Sequence, residues 1–151
     1  MKRVVMATAA ALVLVGSMVS TAAAAPPQPV SIDSHMTINF PYPSTGTFAA
    51  SGSDLICATG TVFDDRLLIT GGPSRAGKLQ ILVAKTFTGD DQSGTFVIRL
   101  QVHANPDGSE WFMWAVQGGT GDYVNLGGSG RGTTVPGSGS VDNFRAGFFV
   151  G

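Results

Sequence analysis

Apolar and polar residues alternate with a period of two along much of this chain. The clearest case runs through Thr95–His103, where Phe96, Ile98, Leu100 and Val102 share one face. Thr95, Arg99, Gln101 and His103 share the other. A period of two is the mark of a half-buried strand, because successive side chains point to opposite sides of a sheet. The preceding stretch, Leu79–Thr88, pairs with it as a hairpin across Gly89-Asp90-Asp91-Gln92-Ser93-Gly94. A second hairpin follows through Ala104-Asn105-Pro106-Asp107-Gly108-Ser109, whose Pro-Asp-Gly core is a strong turn signal. In the next strand Trp111, Met113 and Ala115 oppose Phe112, Trp114 and Val116, so both faces are apolar and the strand is expected to be covered on both sides.

The same reading gives strands at Ser34–Phe40, Thr47–Ser51, Ile56–Phe63, Leu67–Thr70, Glu110–Gln117, Gly130–Thr134 and Val141–Val150. The last repeats the pattern, with Phe144, Ala146, Phe148 and Val150 on one face. Short strands at close spacing, many glycines and no strand–helix–strand rhythm make the chain all-β, either a barrel or a sandwich. Between Val116 and Gly130, six of fifteen residues are glycine. Glycines set around Tyr123 and Leu126 suit a tight corner in which one short turn joins two strands.

The first residues read as a secretory signal. Lys2 and Arg3 precede the apolar run Val4 to Val19, and Ala22-Ala23-Ala24 supplies a small-x-small cleavage site. The expected division is a cleavable signal peptide over 1–24, a flexible proline-rich leader over 25–34 and one β-barrel domain over 35–151. The mature protein would start at Ala25, be secreted, and have no membrane association after cleavage. Lys2 and Arg3 are two of nine basic residues, which leaves seven against ten acidic ones and no basic patch. Nucleic acid is therefore not an expected partner. Cys57 is the single cysteine, so an intramolecular disulfide is ruled out. Its neighbours Ile56 and Ala58 point to a buried, inert thiol.

Several segments resemble a known family. Gly118-Gly119-Thr120-Gly121-x-Tyr123, followed by Leu126 and Gly128-x-Gly130, is similar to the motif of the dirigent and allene oxide cyclase β-barrels. Ile56–Val62, Lys85-Thr86-Phe87-Thr88 and Ser93–Leu100 look like bacterial secreted members of that superfamily. The resemblance covers most of Ile56 to Val150. It implies an eight-stranded antiparallel barrel with an apolar cavity, and it implies dimers or trimers. Plant members cyclise an allene oxide or steer the coupling of phenol radicals. The resemblance also implies a second cysteine facing Cys57, at the position where this chain has Gly89. None of the plant enzymes' polar catalytic residues is carried over.

Other motifs fall away. Gly72-Pro73-Ser74-Arg75-Ala76-Gly77-Lys78 approaches a phosphate-binding loop, but Leu79 stands where a Mg²⁺-holding hydroxyl is needed and a strand pattern follows. Gly118–Asp122 occurs once, whereas a calcium β-roll needs stacked repeats. His35 and His103 are the only histidines and nothing brings them together, so no metal and no cofactor are expected. No Gly-x-Ser-x-Gly elbow exists for a serine hydrolase.

The expected function is the binding of a small apolar or aromatic molecule in the barrel, lined by Phe96, Ile98, Leu100, Trp111, Trp114 and Phe144. Phe148 is expected to join Phe144 inside. The alternatives are an isomerase or cyclase, working by confinement and orientation, and a structural or interaction protein with a filled barrel. Lys85 is the one weak catalytic candidate. It shares a face with Ile81, Val83 and Phe87. Turned inward, its amine would be desolvated and its pKa lowered. The simpler expectation is that it faces a subunit contact or reaches the rim.

Overall fold

The chain is described by a computed structural model over residues 25–39, 43–69, 79–91, 93–135 and 139–151. The expected signal peptide and the phosphate-loop-like segment 72–78 lie outside the described residues. Eight strands follow one another as β1 (Gln28–Thr37), β2 (Thr45–Ser51), β3 (Thr59–Ile69), β4 (Leu79–Gly89), β5 (Phe96–Ala104), β6 (Glu110–Gly119), β7 (Gly127–Val135) and β8 (Gly139–Val150). Each pairs antiparallel with the next, and β8 closes onto β1. The result is an up-and-down barrel, which leaves no free sheet edge.

Period-two patterning carries directly into the barrel. Phe96, Ile98, Leu100 and Val102 all point inward and are buried, as their alternation requires. The interior divides into two halves. Toward the end where β4 passes into β5, Phe48, Phe87, Phe96, Tyr123 and Phe149 meet as rings, with Phe112, Trp114 and Phe144 continuing the cluster. Toward the opposite end the inward positions carry Ser34, Met36, Asp64, Val83, Lys85, Val102, Thr134 and Asp142.

The strands differ from the sequence reading in four places, each with a local cause. First, β1 begins at Gln28, so most of the expected leader is a barrel strand. Val30 and Ile32 are buried, and the strand is held by β8 on one side and β2 on the other. Second, β3 is continuous where two strands were expected. An extra residue between Asp64 and Arg66 forms a β-bulge, so the acidic pair sits within the strand instead of ending it. Third, β8 also carries a bulge. Between Phe144 and Gly147 it advances three residues while β1 advances two, and Ala146 takes φ +47°. Beyond the bulge the alternation is inverted, so Phe149 enters the core and Phe148, expected inside, is exposed. Fourth, the outer face of β6 is open, with Trp111 and Met113 exposed among the described residues.

The glycine-rich corner is built as its composition suggests. Gly121–Tyr123 is one 3-10 turn, and Tyr123 and Leu126 are its buried anchors. Its backbone is tied to the β4–β5 turn: the Asp122 N–H donates to the Ser93 carbonyl at 2.9 Å, and Thr120 N–H to the Thr95 carbonyl at 2.8 Å. Gly121 has φ +59°, and a Cβ there would lie 2.3 Å from the Ser93 oxygen. Gly119 keeps ordinary φ, but its Cβ would lie 2.4 Å from the Tyr123 carbonyl oxygen. Gly139 is the contrast, with its nearest neighbour 3.6 Å away. Replacing Gly119 or Gly121 by Val is expected to cost about 1–3 kcal/mol, the size of an overpacked or strained site, and Gly139→Val well under 1 kcal/mol. Urea denaturation of the three variants checks this; equal midpoints would remove any special role for the corner.

Candidate functional site

The polar half of the interior contains a buried ion trio. Lys85 projects inward from the middle of β4, between Val83 and Phe87 in the alternation. Its Nζ lies 2.7 Å from Asp64 Oδ1 on β3 and 2.9 Å from Asp142 Oδ2 on β8. All three residues are 3–5% exposed. Strand register explains the meeting. Asp64 is directly opposite Lys85 in the β3–β4 pair, while Asp142 approaches from the other side of the barrel lumen.

Further polar groups surround the trio. Thr134, opposite Asp142 on β7, donates its hydroxyl to Asp142 Oδ1 at 2.8 Å. Glu110, half-buried, is opposite Thr134 on β6. Ser34 is opposite Asp142 on the other flank, in β1. It is wholly buried, and its Oγ has no hydrogen-bond partner. Buried hydroxyls are nearly always satisfied, so an orphaned one is unusual. The backbone also supports the site, for the Asp64 N–H donates to the Ser44 carbonyl at 2.9 Å.

The electrostatics correct the expectation for Lys85. The side chain is inside, neither at a subunit contact nor at the rim. Burial works to lower its pKa, but the carboxylates of Asp142 and Asp64 outweigh burial and hold it above its ordinary value. The amine is therefore a fixed ammonium, unsuited to act as a base or to form a Schiff base near neutral pH. For Asp64 burial is the largest effect and raises the carboxyl, offset in part by Lys85 and reinforced by Asp142. Glu110 is also raised, first by burial and then by the charge of Asp142.

The expected ligand-lining residues separate. Phe96, Ile98, Leu100, Trp114 and Phe144 face inward and are 0–2% exposed. Trp111 does not join them. It lies three positions from Trp114, hence on the opposite face of β6, and is 39% exposed with its ring stacked on His103 at 4.1 Å. The inner rings fill the space beside them. Phe87 and Phe96 stack with centroids 4.9 Å apart, and Phe96 also meets Phe48, Tyr123 and Phe149. The two grooves that involve Trp114 and Met113 open on the outside of the barrel, one beside Arg99 and Gln101, the other beside Arg131 and Phe148.

Asp64, Ser34, Glu110, Thr134 and Asp142 are absent from the site residues expected from the sequence. A signal for three of them existed. Asp64, Glu110 and Asp142 each stand two positions from a residue that belongs inside: Val62, Phe112 and Phe144. By alternation each acidic group shares the inward face.

Cys57 is buried as expected. Its Sγ accepts from the Tyr123 hydroxyl at 3.7 Å and from the Asp91 N–H at 3.3 Å. Burial and the thiol contact hold the tyrosine hydroxyl well above its ordinary pKa. Gly89 adjoins Cys57, and a Cβ there would stand 2.6 Å from the sulfur and 2.4 Å from the tyrosine oxygen. Glycine leaves room for the Tyr123–Cys57 contact where the resemblance implies a second cysteine.

No group of three or more His, Cys, Asp or Glu able to hold a metal ion occurs among the described residues. No protein-family model, no curated protein and no solved structure matches this chain.

Proposed function

We propose that this is an exported barrel that holds one small, mainly apolar molecule at the polar end of its interior, with the molecule's polar group against Asp142, Ser34 and Glu110. The observation that carries this reading is a charged trio, buried together with an unpartnered hydroxyl, in the half of the barrel not filled by rings. An eight-stranded barrel has an interior wide enough for side chains or for one small ligand. Phenyl rings occupy that width in one half; valine, serine, threonine and aspartate occupy it in the other. Lys85, Asp142, Asp64, Val102 and Val83 keep 3 to 9% exposure, while Ser34 is 0% and Met36 2% exposed. An apolar wall with a few convergent polar groups is the usual form of a small-molecule site.

A second reading keeps support from the aromatic half. Rings in mutual contact are what a structural barrel with a filled interior contains. The cyclase alternative needs space in which to fold a substrate, and the aromatic cluster does not offer it. The resemblance to the dirigent and allene oxide cyclase barrels agrees with the binding reading only in implying an apolar cavity.

The test is native mass spectrometry of protein purified without denaturation, followed by organic extraction. A bound molecule in the wild type is expected. It should be lost in Val102→Phe, which narrows the polar half, and retained in Trp111→Ala on the outer face. Absence of any bound molecule after exposure to a metabolite extract would favour the filled barrel. Loss in the outer-face variant alone would move the site outside.

A further inference from the structure

We infer that the molecule taken up at the polar end carries a cationic nitrogen, so that its chemical class is a small amine on an apolar body; this rests on the binding reading above. Charge is the first reason. Among the described side chains, Lys85 is the one cation that faces into the barrel, and it is shared between two carboxylates. The trio therefore carries one negative charge in surplus, and Glu110 adds a third carboxyl on the same side. Unbalanced charge is costly in a desolvated place and is neutralised by a proton, an ion or a ligand. Burial, and after it the charge of Asp142, holds the Glu110 carboxyl above its ordinary range.

Hydrogen bonding is the second and independent reason. The Ser34 hydroxyl is fully buried, has no partner, and stands across the β1–β8 pair from Asp142. Cross-strand neighbours of this kind have Cβ atoms about 4.5–5.5 Å apart, so one nitrogen between them can reach both. An ammonium offers three protons and accepts none. Asp142 is already approached by Lys85 through Oδ2 and by Thr134 through Oδ1, and each carboxylate oxygen has room for a second donor. Acceptors thus outnumber donors here. A carboxylate or phosphate ligand would add acceptors to a site with too many and would meet two like charges. A neutral alcohol would satisfy Ser34 but leave the surplus charge. The apolar body fits the walls made by Val83, Val102 and Met36.

The experiment is isothermal titration calorimetry with three probes of one shape: benzylamine, benzyl alcohol and benzoate. Benzylamine should bind about tenfold or more tightly than the alcohol, the size of one hydrogen bond to a charged group, and benzoate should not bind. Ser34→Ala removes a hydroxyl that no protein group uses, so its melting temperature should not fall, while benzylamine affinity should drop severalfold. Asp142→Asn should abolish the preference for the amine. If the alcohol or benzoate binds as tightly as the amine, or if Ser34→Ala leaves amine affinity unchanged, the amine assignment is overturned and the binding reading stands. If none of the three binds, the amine assignment is overturned; if a metabolite extract also leaves the wild type empty, the binding reading falls with it.

Discussion

Lys85→Met should destabilise the protein by about 3–5 kcal/mol, the usual cost of removing one partner from a buried ion pair. The ammonium bridges Asp64 and Asp142. Without it two carboxylates face each other in a poorly solvated interior and must be protonated or leave. The variant that also carries Asp64→Asn and Asp142→Asn should recover most of the loss, because the surplus charge is gone. Urea unfolding of the three proteins decides the matter. A single Lys85→Met as stable as the wild type would mean that the trio contributes no pairing energy.

The pH dependence follows from the same charges. Lys85 lies above its ordinary 10.5 in the fold. Its contribution is complete below pH 10.5 and is lost as the pH rises through the higher folded value. Asp64 is raised from 3.8, so its term has the same sign at the acid end. That contribution is complete below 3.8 and fades as the pH rises through the folded value. Alkaline unfolding of the wild type should therefore gain strength only above pH 10.5. The deficit of Lys85→Met should shrink on acidification into the carboxylate range, since protonation removes the repulsion that the lost ammonium had balanced. A deficit independent of pH would assign it to lost packing of the lysine stem instead.

Much of the barrel can be read from alternation alone. Phe96–Val102 and the two hairpins around it follow from a period of two, and the corner follows from glycines spaced around Tyr123 and Leu126. What alternation misses are the bulges. One extra residue in β8 inverts the faces after Phe144, and nothing local distinguishes Phe148 from Phe149 before the neighbouring strands are known. The bulge in β3 hides a continuous strand behind the acidic pair Asp64-Asp65. Trp111 departs from the expected inner face for a simpler reason. Two tryptophans three apart on a strand take opposite faces, and both cannot be inside. The pairing within the ion trio is not legible in the sequence, for a different reason. A lysine inside a barrel makes sense only with its partners, which come from β3 and β8 and are brought together by closure rather than by any nearby residue. The acidic residues were nonetheless on inward positions. Extending the alternation rule to charged residues, instead of treating them as surface, would have found Asp64, Glu110 and Asp142.

Phe96→Ala should cost about 3–5 kcal/mol, at the upper end for a single core truncation. Phe96 is wholly buried at the start of β5 and meets four other rings: stacked on Phe87 with 4.9 Å between centroids, tilted against Tyr123 at 4.9 Å, and edge-on to Phe149 and Phe48 at 6.1 and 6.5 Å. Removing it loses the transfer energy of a whole ring and also those contacts. The barrel wall cannot collapse into the gap, because each strand is held by hydrogen bonds on both sides. A rigid wall is what makes the cavity penalty large. Such a cavity should be apolar and dry, and should accept a ring of its own size. Benzene or indole should then raise the melting temperature of Phe96→Ala and leave the wild type unchanged. That result would establish that the aromatic half is filled in the native protein and that any natural ligand must enter by the polar end. A wild type stabilised by benzene to the same degree would show open space among the rings, and the binding site would return to the aromatic face.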